Sequence, residues 1–493
     1  MYIQETNREF LFLSAGRPGM GRELIRVDGA NILMVRDIFP GENGSDPRNF
    51  GALNGQAFFF VNERSSEGVG NLWRSNGISF PVSNTSRVKI IYRGNNSQAR
   101  SLVTVGNQMF FVATSQANNE ELWISDGTEV GTVLSNDINP TGSSFPEEIT
   151  GIEIAGQPYL FFTADASPGA ARGNAAANRE LWIRNPNTGQ ASAIEINPTG
   201  GSNPKYLTFY KGFCYFIAND GSGSRLWRSD GTLLGTQPVN TLGANIDSTV
   251  SLVVSNNILY FVASRPAEGN ELWQFNGFNA TLVKDIRPGS ASASPHKLCD
   301  VRGTLYFAAT TDAHGTELWK KAPSEAVADS PLADVVPGTG SSFPSLLTEV
   351  NGLLYFFVQN FKPDFPDKGF LWVSDPATNE TRLFYDFEGE GASDYEQITP
   401  VGNNFYFVAQ GKGPLSPSGI VDNPGIELWF VQNCTQVALS YHPEPDANNV
   451  LCKSAGTVPP ILKFSPTPTP ANICPTGNCF SSPDAALVLN PTT

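Results

Sequence analysis

Histidine is scarce in this chain: three in 493 residues, at His296, His314 and His442. No His-Glu-x-x-His pair, Gly-rich phosphate loop or nucleophile elbow occurs. The residue patterns that announce zinc hydrolysis, nucleotide binding and elbow-type acyl transfer are therefore absent. No apolar run approaches the ~20 residues a membrane-spanning helix needs, so no membrane insertion is expected. Basic residues are outnumbered, 32 Lys+Arg against 47 Asp+Glu, for a net charge of -15. A surface of that sign repels phosphate backbones, so nucleic acid is not an expected partner. Residues 1–13 lack a basic start followed by an apolar core, and no signal peptide is read at residue 1. That leaves a cytosolic chain, another export route, or a numbering that begins after a processed or missing segment.

The six cysteines fall into two groups. Cys214 and Cys299 fall inside apolar strands and read as buried thiols. Cys434, Cys452, Cys474 and Cys479 cluster near the end, where three pairings are open. The favoured set is Cys434–Cys452 with Cys474–Cys479, which calls for an oxidising compartment. Zinc is the rival, but paired Cys-x-x-Cys knuckles are missing.

What the chain does have is repetition. Leu-Trp recurs at 72–73, 122–123, 181–182, 226–227, 272–273, 318–319, 371–372 and 428–429, and Leu24-Ile25 is a ninth copy. All eight tryptophans occupy this one position. The steps between copies are 48, 50, 59, 45, 46, 46, 53 and 57 residues, the size of a four-stranded blade. Each repeat reads as four strands, A to D. Two-residue turns such as Asn54-Gly55 and Asn351-Gly352 join A to B, and Asn and Gly there suit the positive φ of tight hairpins. Asp126-Gly127 and Asp230-Gly231 mark C–D turns. The B strands are continuous apolar runs, as in Leu305-Tyr306-Phe307-Ala308-Ala309, so both their faces are expected to be covered. Leu-Trp would place one large side chain on each face of strand C, making the indoles core wedges rather than ligand platforms.

The expected fold is therefore all-β: a β-propeller of four-stranded antiparallel blades over residues 1–445. It has nine repeats, for eight to nine blades, at about 1–45, 46–94, 95–142, 143–201, 202–245, 246–291, 292–340, 341–391 and 392–445. Tyr2–Thr6 is read as the first strand A, and each repeat as complete in itself. Residues 446–493 read as an extended Pro/Thr-rich tail with nothing to build a core. Alternating strand direction puts the tight turns on one side. The B–C loops, long at 166–179, 360–369 and 411–426, share the other side with the D–A connections. Those connections carry Pro-Gly-x-x-Ser or a relative, as in Pro288-Gly289-Ser290-Ala291-Ser292. Variable loops on a rigid frame are where function usually resides.

The string Glu121-Leu122-Trp123-Ile124-Ser125-Asp126-Gly127-Thr128, closed by Gly131-Thr132, resembles the ELWxxDGT repeat, and 225–236 is a second copy with Arg225 for Glu. The resemblance covers about residues 1–440. It implies a propeller-like array of the kind found in bacterial proteins that are often large and exported, and it carries over no catalytic residues.

Two constellations are candidates for chemistry. His296 and His314 fall at two ends of one repeat, on the loop side. Asp37, Asp137, Asp285 and Asp334 end their D strands just before the Pro-Gly turns and could supply oxygens to calcium. The plainer expectation is that each caps its own turn; no other cofactor is expected. No catalytic residue is assigned. The function expected is a non-catalytic binding or scaffold propeller, extracellular or on the cell surface, contacting protein or glycan through the loop side. Two alternatives stand beside it. One is a structural subunit of a filament, surface layer or virus-like assembly, with assembly partners met through the C-terminal tail. The other is a carbohydrate-active enzyme with its site at the central channel.

Overall fold

The computed structural model describes residues 10–17, 21–28, 31–63, 68–78, 84–115, 119–167, 178–240, 243–359, 369–386, 393–410, 426–431, 461–464 and 486–489. Among them there is no helix, and each of the nine Leu-Trp or Leu-Ile repeats forms its own antiparallel sheet. The third is representative: Arg100–Val105, Gln108–Thr114, Glu120–Ser125 and Val133–Asn136 lie side by side in that order. Two units divide the chain. One comprises Met1–Arg64, Trp73–Arg87 and Pro344–Thr493, the other Ser65–Leu72 and Val88–Phe343. The second repeat is shared between them.

The hairpins form for the reason the turn residues give. Asn54 and Gly55 sit at φ 51° and 69°, and Asn351 and Gly352 at 51° and 82°, the paired positive values a twisted two-residue connection demands. The C–D turn of the third repeat is closed by its own side chains. Asp126 Oδ1 accepts from Thr128 N at 2.8 Å and Thr128 Oγ1 at 2.7 Å, and Ser125 Oγ and Thr132 Oγ1 lie 2.7 Å apart. These bonds hold the Asp126 carboxyl below its ordinary range. The same bonds recur at Asp230, Thr232, Ser229 and Thr236.

Successive sheets are joined by the Leu-Trp pair. In one cluster Leu181 of the fourth repeat meets Trp227 of the fifth; in others Leu226 meets Trp273, Leu272 meets Trp319, and Leu371 meets Trp429. Adjacent strand residues point to opposite faces, so leucine reaches the following sheet and tryptophan the preceding one. Seven of the eight tryptophans are buried and Trp182 is half-buried, as expected of wedges. In the first unit the ninth repeat packs on the first, through Val401 and Tyr406 against Leu11, Leu13 and Ile25.

Four features depart from expectation. The first sheet takes its fourth strand from the far end of the chain: Ala486–Leu489 pairs antiparallel with Phe10–Arg17, Phe10 opposite Leu489. Tyr2–Thr6, read as that strand, lies outside the described residues, and the first repeat is not completed by its own sequence neighbours. Ile461–Phe464 is the fourth strand of the ninth sheet. The stretch read as an extended tail thus supplies two strands, because short apolar runs within it meet strand edges that would otherwise be bare. The seventh sheet has three strands, and the sixth has its first strand split into Asn245–Ile246 and Val253–Ser255. An aspartate turn between them explains the split, Asp247 Oδ1 accepting from Thr249 N at 2.8 Å. Finally, the A strands of seven repeats carry a bulge with its second residue left-handed, for example Ser101 at φ 57° and Leu346 at φ 51°. No single residue type marks these positions, which hold Asn49, Ser101, Glu148, Tyr206, Lys297, Leu346 and Gln397.

Candidate functional site

The loop side is organised by a residue that the sequence reading passed over: the glutamate opening Glu-Leu-Trp. In a strand its side chain points to the same face as the tryptophan two positions on, which buries it. Glu23, Glu121, Glu180, Glu271 and Glu317 are all at most 3% exposed. Each reaches across to the D–A connection that follows. Glu121 Oε1 accepts from Ser144 N at 2.8 Å; its Oε2 accepts from Ile138 N at 3.1 Å and lies 2.6 Å from Ser144 Oγ. Glu317 holds Ser342 and Val335 in the same way, Glu180 holds Ser202 and Ile196, and Glu23 holds Ser45 and Ile38. Glu271 holds the amides of Ile286 and Ala293, with no hydroxyl. In the third repeat Asp137-Ile138 and Ser143-Ser144-Phe145-Pro146 are therefore the two ends of one clamp.

A main-chain bond completes it. The carbonyl of the residue before the glutamate accepts from the residue after the clamped one, as in Asp46 N to Arg22 O at 3.0 Å and Asn203 N to Arg179 O at 3.0 Å. Asp46, Phe145, Asn203, Ser294 and Phe343 are thereby held at φ 44°, 48°, 46°, 48° and 46°. Each precedes a proline, which disfavours compact backbone in the residue before it. Such strain persists only where surrounding bonds over-determine it. Burial pushes each of the five carboxyls up to about 7, against the pull of the donors around it. These acids are sealed from solvent, so their work is to hold loops.

The residues singled out from sequence lie around the clamps. Asp285 Oδ2 accepts from Gly289 N at 3.1 Å and Asp334 Oδ2 from Gly338 N at 3.3 Å, the turn-capping arrangement. Asp137 is exposed, and Asp37 Oδ1 is buried without a hydrogen-bond partner. Among the described residues no three His, Cys, Asp or Glu side chains are grouped to hold a metal ion. His296 Nδ1 lies 3.0 Å from Ser294 O, whereas His314 Nδ1 lies 3.3 Å from Asp334 Oδ2, so the two histidines engage different partners. Cys214 is buried, which pushes its thiol far up, while Cys299 is half-buried. His442, Cys434, Cys452, Cys474 and Cys479 lie outside the described residues.

No family model matches the chain. No curated protein is similar to it. Among solved structures it is similar to dipeptidyl peptidase 4 of Porphyromonas gingivalis, with a TM-score of 0.47 and 9% identity over 82% of this chain and 64% of that one. A prolyl endopeptidase matches at TM-score 0.38 and 12% identity, over 80% of this chain and 55% of that one. The acylaminoacyl peptidase of Pyrococcus horikoshii matches at 0.34 and 9%, over 75% and 58%. The chain thus spans between 55% and 64% of the length of these three. All three are named as peptidases, and the expectation of a non-catalytic binding or scaffold module is corrected on that finding. At these values the likeness assigns no activity or substrate to this chain.

Proposed function

We propose that the nine sheets are blades of one propeller of the ELWxxDGT kind, and that it is a hydrolase whose chemistry lies on the loop side of the seventh repeat. The supporting observation is the His314–Asp334 pair, 3.3 Å apart, with side chains 29% and 34% exposed. A carboxylate against one imidazole nitrogen orients the ring and leaves the other free to take a proton from water or a hydroxyl. Asp334 is itself steadied by the Gly338 amide, and the backbone of His314 by the Thr311 hydroxyl at 3.2 Å. In this reading His314 is the general base and Asp334 its positioning residue. The test is hydrolysis of a panel of chromogenic esters, peptide anilides and glycosides by the purified chain. His314→Ala should lose about 100-fold or more, with Asp334→Asn intermediate. A chain inert to the whole panel, or a His314→Ala variant as active as its parent, would end this reading.

A second reading, a subunit of a larger assembly, is favoured by the opposite side. Val130, Leu234 and Phe278 at the tips of C–D turns are 88%, 86% and 87% exposed, and protruding apolar side chains suit burial against another chain. Light scattering of the wild type beside Val130→Ser/Leu234→Ser/Phe278→Ser discriminates. Assembly lost in the triple variant supports this reading, and a wild type monomeric at all concentrations rejects it.

A further inference from the structure

Four of the five clamps share a property the hydrolytic reading does not use: each brings a buried carboxyl to a partner set, a serine hydroxyl included, that can be satisfied with or without a proton; Glu271 meets amides alone. In the ionised form the serine hydroxyl donates to Oε2. In the neutral form Oε2–H donates to the serine oxygen while still accepting the amide of Ile38, Ile138, Ile196 or Val335, and Oε1 still accepts the serine amide. The hydrogen-bond count therefore does not choose between the two forms. Desolvation does, and it opposes the charge.

The charged surroundings point the same way. Asp137 bears on Glu121, Glu195 on Glu180 and Asp285 on Glu271, all of them acids. The basic groups nearby are spent elsewhere. Arg22 pairs with Asp46, Arg100 with Glu120, Arg179 with Glu147 and Arg287 with Asp312. Arg22, Glu120 and Arg179 immediately precede clamp glutamates, so their side chains leave the strand on its opposite face. His314 and Asp334 pair with each other beside Glu317.

The chain also contains its own comparison. In the second repeat the clamp position is Asn71, whose Oδ1 accepts from Ile91 N at 3.1 Å, the bond made by Glu121 to Ile138. An amide, the uncharged counterpart of a protonated acid, does the same work there.

We propose that these glutamates form a proton-operated latch: each holds its D–A connection as the neutral acid, and losing the proton loosens the strained pre-proline turn beside it. The loop side is then tight in mildly acidic surroundings and progressively released in alkaline ones. The sign follows from linkage. Burial raises the folded-state value from 4.5 to about 7. The stabilisation is therefore complete below about 4.5 and is lost as pH rises through about 7.

The test is amide hydrogen exchange of the intact chain, corrected for intrinsic rates, at the amides of Ser45, Ser144, Ser202, Ala293 and Ser342 between pH 5 and pH 9. Protection should fall at least tenfold across this range, while the Ile91 amide, held by Asn71, should not follow. Glu121→Gln and Glu317→Gln should keep acid-level protection at their own clamps at pH 9. Protection independent of pH in the wild type, or Gln variants already unprotected at pH 5, would overturn the latch. Should the variants fold poorly, the wild type still decides. An infrared carboxylic-acid band in the folded chain near neutrality that vanishes on alkalinisation is expected. Only ionised carboxylate at pH 6 would refute it.

Discussion

At the scale of single residues, the tryptophan and the glutamate of Glu-Leu-Trp do opposite work on one face of one strand. Trp319 is 1% exposed and packs with Leu272, Leu305 and Phe307 across two sheets. Truncating such a side chain removes its transfer energy and leaves a cavity, so Trp319→Ala should cost about 3–5 kcal/mol in denaturant unfolding. Glu317, two positions before, offers no apolar burial; its loss strands the Val335 amide and takes from the Ser342 amide the shorter of its two bonds, leaving the one to Thr316 O at 3.1 Å. Glu317→Ala should cost about 1–3 kcal/mol, from the orphaned Val335 amide and the weakened hold on Ser342. Glu317→Gln should cost little at pH 5 and be at least as stable as wild type at pH 9. A Gln variant as damaged as the Ala variant at both pH values would show that the charge itself holds the loop. The wedge was legible in the sequence because large aromatics at a fixed repeat position have few other uses. The clamp was not, because an acid in a strand pattern reads as a solvent-facing residue until the neighbouring sheet is seen to cover it.

At the scale of elements, the C–D turn is a closed hydrogen-bonded unit, and Gly131 is part of its closure. A Cβ at that position would fall 2.1 Å from the Asp126 carboxyl. Gly131→Ala should therefore displace Asp126 from Thr128 and destabilise by about 1–3 kcal/mol. Asp126→Ala should cost less than that, since the turn is exposed. The double variant should cost less than the sum of the two, because both act on one contact; full additivity in the thermal midpoints would show that the glycine serves some other end. The turns and the B strands were read from residue type because their causes are local: positive φ at Asn-Gly, and covered faces along unbroken apolar runs. The A-strand bulges were not. Their left-handed residues, such as Ser101, Glu148, Tyr206 and Leu346, share no side-chain chemistry; the register of the partner strand imposes the conformation.

At the scale of the whole molecule, the chain ends matter more than their composition suggests. Ala486–Leu489 covers the edge of Phe10–Arg17, and Ile461–Phe464 the edge of Ile426–Val431. Deleting residues 480–493 should bare the first sheet, lower the thermal midpoint and promote association through the exposed edge. Calorimetry with size-exclusion chromatography checks this, and a truncated chain as stable and as dispersed as its parent would mean the edge needs no cover. The repeat period, the strand types and the wedge position were determined by the sequence alone, because each follows from short-range spacing and from what a strand face does to alternating side chains. Tertiary structure alone decided which segment completes the first sheet, which acids are sealed away and where the pre-proline turns are strained. Those outcomes depend on which edges and faces meet across hundreds of residues, and no local pattern encodes that.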